Sequence, residues 1–106
     1  MDPAIEWNEP GGGRAPSGTF QGSQSVANDV FSTVPENFDE FSARPDRFFE
    51  AFGDHVIVIG EFRAKPKGGG DMTAAFVHVW QMHDGKTARF HNYVDAAAWA
   101  PGWGGS

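Results

Sequence analysis

A chain of 106 residues is long enough for one domain with one core and too short for two. With 40% hydrophobic residues, ten Phe and four Trp, it is too rich in large apolar groups to stay disordered over most of its length. Its 14 acidic and 8 basic residues give a net charge of −6 without any cluster of Lys and Arg, which excludes a nucleic-acid backbone as partner.

The stretch Ala4-Ile5-Glu6-Trp7-Asn8-Glu9-Pro10 alternates and then meets a proline, which predicts a short strand. Gly and Pro dominate Gly11 to Gly18, a predicted loop. Ser23 suits a helix N-cap, since its hydroxyl accepts from first-turn amides. Val26, Ala27, Val30, Phe31 and Val34 then fall on one helical face, and Pro35 is expected to end the helix because it disfavours helical backbone in the residue before it.

From Phe38 the period changes to two. Residues 38–44 predict a strand ending before Pro45, and 48–52 and 55–65 the arms of a hairpin turning at Gly53-Asp54. The run Val56-Ile57-Val58-Ile59 is the strongest β signal, being wholly β-branched. Residues 66–70 form a turn, Met72 to Met82 a long strand, His83 to Lys86 a tight Asp-Gly turn and Thr87 to Val94 the last strand. Asp95 can cap a short helix over 96–99. Residues 101–106 read as a loose tail, so a single domain 1–106 has its folded core at 4–100. The pattern is α+β: one helix covers one face of an antiparallel sheet, and the other face is left to solvent or a partner.

The chain has no cysteine, so disulfides, thiolate nucleophiles and thiolate zinc sites are excluded. No apolar run approaches the roughly 20 residues of a membrane helix, and no cationic-then-apolar leader pattern opens the chain, so no membrane partner and a cytoplasmic location are expected. The four histidines have no ligand spacing, and neither glycine triplet is followed by the Lys-Ser/Thr of a phosphate loop, so no metal and no cofactor are expected. The acidic residues between Glu36 and Asp54 lack the alternate spacing of a calcium loop and read as a solvated edge.

Six segments occur in an order that resembles the SnoaL-like, polyketide cyclase-related proteins of the nuclear transport factor 2-like superfamily. They are Ile5 to Gly12, Ser17 to Gly22, Gly53 to Gly60, Val77-His78-Val79-Trp80, Asp84-Gly85-Lys86 and Tyr93 to Ala97. The resemblance implies a cone-shaped curved antiparallel β-sheet with a helix packed on the concave face. It also implies a pocket opening on that face and homodimers or higher oligomers formed through the sheet. The family's two usual helices before the first strand have no counterpart here. The expectation is a shortened form, or a second protomer covering the exposed sheet.

Alternation places Ala74, Phe76, His78 and Trp80 on one face of their strand, Glu6 with Asn8 on another, and Val58 with Phe62 on a third. The resemblance places Asn92 inward. The expected concave wall is apolar, with Glu6, Asn8, His78 and Asn92 as its polar points, and suits a small hydrophobic ligand held by Asn8, Val58, Phe62, Phe76, Trp80 and Asn92. Candidate catalytic residues are His78, Glu6, Glu9 and Asp95. His78 is either a proton-transfer group depressed by apolar walls or a core histidine bonded to a neighbour. Glu6 or Glu9, desolvated by tryptophan, would serve as base, and Glu9-Pro10 resembles the Asp-Pro pair of ketosteroid isomerases, in which an aspartate is the base. The other reading of Glu9 is a solvated loop. Acids near the end of the last strand act in related enzymes, yet Asp95 serves equally as a helix cap. Related epoxide hydrolases use an Asp-Arg-Asp arrangement, and the matching positions here, Val58, Gly60 and Asn92, are uncharged, which disfavours that reaction. The functional expectation is small-molecule binding, with acid–base isomerisation or cyclisation of a hydrophobic carbonyl compound as the alternative.

Overall fold

Long alternating segments build most of the molecule. The computed structural model describes residues 1–104 and contains one curved, open sheet of six strands in the order β2-β1-β6-β5-β4-β3. The strands are β1 (Glu6–Pro10), β2 (Ser17–Gln21), β3 (Phe38–Ala51), β4 (His55–Pro66), β5 (Met72–His83) and β6 (Lys86–Val94). β3 to β6 form an antiparallel meander, β1 and β2 an antiparallel hairpin, and β1 joins the meander parallel to β6. β2 begins inside the predicted loop, at Ser17 and Gly18, and is not among the expected strands; only Phe20 in it is large and apolar, so its sequence carries little period-two signal.

The helix expected over 23–34 is broken. α1 (Ser23–Val26) runs into a π-helical turn (Ala27–Phe31), and α2 (Thr33–Asn37) follows. Pro35 lies inside α2 rather than ending a helix. It sits in the first turn, where its missing N–H has no intrahelical partner to lose. Ser23 does not cap through its side chain; the N-cap position is Gly22.

Pro45 does not end a strand either. β3 passes through it with a bulge between Pro45 and Arg47. β3 is an edge strand, where a residue lacking N–H is tolerated, and the bulge absorbs the misfit. Gly60 pairs with Pro45 across the ladder. A Cβ there would strike the Arg44 carbonyl and come within 2.8 Å of the Phe76 ring, so only glycine allows the two backbones this close. The Asp84-Gly85 turn behaves as expected, both residues having positive φ, at 50° and 76°.

The concave face is covered by two separate pieces. Val26 and Val30 pack with Ile5, Trp7 and Phe90. α3 (Ala96–Gly102) packs Trp99, with Trp103 just beyond, against Phe38, Phe62, Ala74 and Phe76. The Asp95 side chain accepts from the Ala97 amide and so caps α3. Of the tail expected to be loose, Pro101 and Gly102 continue α3, and Gly102 and Trp103 are buried, Trp103 being only 2% exposed, while 105–106 lie outside the described residues. Trp103→Ala should therefore destabilise the protein by about 3–5 kcal/mol in urea unfolding; a midpoint equal to wild type would mean that this indole is not a core group.

Candidate functional site

Between the two covering pieces the sheet stays open, leaving a hollow of about 260 Å³. Its walls are almost wholly aromatic and aliphatic. All four tryptophans of the chain line it, together with Phe41, Phe62 and Phe90. Its polar points are Glu9, His78 and Asn92.

Strand phase brings these three together. β5 points Ala74, Phe76 and His78 to the concave side, all buried, with Trp80 next in phase on the hollow's wall. His78 pairs with Asn92 across β5 and β6. The parallel register of β1 on β6 sets Trp7 opposite Phe90, so Trp7 and Glu9 face the hollow. Glu9 accepts from Asn92 Nδ2 at 2.8 Å through Oε1 and from Trp7 Nε1 at 3.0 Å through Oε2. A hydrogen-bonded chain thus runs from the Trp7 indole through the carboxylate to the Asn92 amide, beside the His78 ring.

His78 is 8% exposed, and the Phe76 ring stacks on its imidazole at 3.8 Å, with Phe90 and Phe62 centred 4.9 and 5.4 Å away. Burial among these rings pushes its pKa down to about 4, against a smaller opposing pull from Asn92, so the ring is neutral at neutral pH. Burial pushes Glu9 in the opposite sense, above its ordinary value, while the bonds from Asn92 and Trp7 restrain the rise. Among the described residues, four buried side-chain polar atoms make no hydrogen bond of ordinary geometry: His78 Nε2, Asn92 Oδ1, Trp99 Nε1 and Trp103 Nε1. All four belong to residues lining the hollow.

The other candidates lie elsewhere. Glu6 and Asn8, expected inward, occupy the opposite face of β1. Glu6 bonds Arg89 at 2.9 Å, and Asn8 bonds Glu6, Thr19 and the Phe90 carbonyl. The phase is set by Ile5 and Trp7, whose burial outweighs any benefit of turning a carboxylate and an amide inward. Asp95 is spent on capping α3 and is not part of the hollow. Val58 and Phe76 share the concave face but border a second, shallower hollow with Phe48, Val56 and Met82. Phe62, Trp80, Asn92 and His78 line the main one. Sequence reasoning missed Trp99, Trp103 and Phe41 as wall residues; the four-residue spacing of the two tryptophans, one helical turn, was the available signal. Among the described residues no group of three His, Asp or Glu side chains could hold a metal ion, and no helix is long and apolar enough to cross a membrane.

The His78 shift has a definite sign. The unfolded chain takes up a proton near pH 6.5, whereas the native state resists until about 4, so stability falls as pH drops through that window. Glu9, raised in the native state, acts in the opposite sense, because there the native state takes up its proton first. In a Glu9→Gln background, urea unfolding should lose up to about 3 kcal/mol between the two limits. His78→Phe should remove that part of the slope; a slope unchanged by the substitution would show that His78 is not held neutral.

Comparison with known proteins agrees with this fold. No curated protein matches the chain. Among solved structures, a nuclear transport factor 2-like protein from Burkholderia thailandensis is 29% identical, with TM-score 0.85 over 96% of this chain and 78% of that one. A Xanthomonas campestris protein of unknown function with a cystatin-like fold is 25% identical, with TM-score 0.85 over 100% and 81% of the two chains. TerC, co-crystallised with polyporic acid, is 29% identical, with TM-score 0.78 over 93% and 76%. The SnoaL-like domain model matches residues 1–90, and the protein is a member of that family.

Proposed function

We propose that the protein binds a small, largely apolar organic molecule in the hollow between α3 and the π-helical turn. The observation that carries this reading is one hollow walled by aromatic and aliphatic side chains, with Glu9, His78 and Asn92 as its few polar residues. A ligand with a few polar atoms on an apolar frame matches such a lining. An apolar cavity of roughly 150 Å³ accepts benzene, so a hollow of about 260 Å³ has room for a two-ring molecule. The likeness to TerC, which was crystallised with an organic acid, supports the same reading.

Because every tryptophan lines the hollow, intrinsic fluorescence reports on it directly. Titration with two-ring aromatic compounds should give saturable quenching, weakened tenfold or more by Ala43→Phe at the wall. Absence of saturable quenching across such compounds up to millimolar concentration would overturn the reading.

A second reading rests on one further observation. Glu9 and His78 border the same hollow, where burial raises the Glu9 carboxyl and lowers the His78 imidazole, so that a neutral imidazole stands beside a carboxylate of strengthened basicity. In this reading the Glu9 carboxylate takes a proton from the carbon next to a ligand carbonyl and returns it at a second carbon, an isomerisation without a cofactor. In deuterium oxide, proton NMR should show exchange of that hydrogen in a bound aromatic ketone, lost in Glu9→Gln and retained in Glu6→Gln. Exchange that survives Glu9→Gln would remove Glu9 as base.

A further inference from the structure

We propose that the hollow selects a cation: a protonated primary amine carried on a ring frame, its ammonium group donating to the Glu9 carboxylate. The inference rests on the binding reading above and names the charge of the ligand that the hollow takes.

The starting point is the charge around one carboxylate. Glu9 lines the hollow and, unlike Asn92 and His78, is only half-buried. Its two oxygens offer about four acceptor positions. Asn92 Nδ2 takes one on Oε1, and the Trp7 indole takes one on Oε2. Both donors are neutral, and each oxygen keeps an acceptor position. Among the described residues Glu9 makes no ion pair. No lysine or arginine lines the hollow, and burial keeps His78 neutral. Arg14, the basic residue nearest in sequence, is exposed, with its side chain beside Gly104. The lining therefore carries one charge, a negative one, with nothing of opposite sign to offset it. Burial raises the Glu9 pKa even with both donors in place, the mark of an anion short of compensation.

The surroundings of that carboxylate suit a cation. The Trp7 ring, whose N–H bonds Glu9, has Phe90, Phe31 and Trp80 centred 3.9, 5.2 and 5.9 Å away. Aromatic faces are electrostatically negative and attract a cation within about 6 Å of the ring centre. Trp80 is half-buried on the wall of the hollow, so its ring is available to a ligand. A primary ammonium has protons enough for both open positions on Glu9. Its bond to a carboxylate is charge-assisted, roughly twice as strong as a neutral one, and is screened less among rings than in water. An alcohol makes only the weaker bond. An organic anion sets a second negative charge beside Glu9, an arrangement that costs affinity. The net charge of −6 acts in the same sense, drawing cations toward the molecule. The rest of the wall is apolar, so the ammonium is carried on a hydrocarbon ring frame.

Isothermal titration at neutral pH with 2-naphthylmethylamine, 2-naphthylmethanol and 2-naphthoate tests the proposal, since the three share their rings and differ in charge. The amine should bind the wild type about tenfold tighter than the alcohol or better, and the naphthoate weakest. Glu9→Gln should bring the ratio of amine to alcohol affinity to about one. Glu6→Gln removes the same charge from the opposite face of β1 and should leave the ratio in place. A general loosening of the fold would weaken amine and alcohol alike, so the ratio separates charge recognition from stability. An amine that binds no tighter than the alcohol, or a naphthoate that binds tightest, overturns the cation assignment while the binding reading stands. A ratio that survives Glu9→Gln, or that falls equally in Glu6→Gln, overturns it too. No binding of any of the three at millimolar concentration overturns both.

Discussion

The site depends on a short stretch of parallel pairing. β1 meets β6 through Glu6 with Arg89, Trp7 with Phe90 and Asn8 with His91. Because side chains alternate, a slip of one residue would exchange every side chain between the two faces of the sheet. The register is held by what it buries: Ile5 is fully buried and Trp7 nearly so, its indole centred 3.9 Å from the Phe90 ring. Glu9 is carried inward by that packing rather than by any attraction of its own. A carboxylate among tryptophans is unfavourable unless hydrogen-bonded, and the Trp7 and Asn92 donors meet that condition.

The same logic separates what could be read in the chain from what could not. The meander was legible because β4 and β5 carry long runs of apolar and β-branched residues, and the inward set on β5, including His78, follows from alternation alone. The phase of β1 was readable too, had Ile5 and Trp7 been given priority over the appeal of Glu6 and Asn8 as polar points. β2 was not, since an exposed edge strand with one large apolar residue has no periodic signature. Pro35 and Pro45 misled for opposite reasons: one sits where a helix needs no N–H, the other where a sheet edge needs none. The packing of Trp103 was hidden by the Pro and Gly around it, which mimic a loose tail while serving a tight approach to Met72.

The hollow itself was only half legible. That His78 and Asn92 would meet follows from two adjacent strands and the register of an Asp-Gly hairpin. That Glu9 would reach them could not be read from β1 alone, because it depends on a contact between residues 83 positions apart. Nor could the division of the covering layer. The π-helical turn stops the first helical piece from running as one smooth rod, and α3 approaches from the other end of the sheet. The gap between them is a consequence of two short pieces covering a sheet wider than either.

The bulge at Pro45 has a consequence beyond its own strand. A sheet edge of 14 residues bearing Phe48 and Phe49 is a template on which a foreign strand could grow, the first step toward fibrils. Pro45 breaks the row of free amides, the bulge interrupts the regular ladder, and Asp46 and Arg47 put charge at the fault. A device that looks like an irregularity in the ladder thus also helps keep separate molecules from stitching together into aggregates.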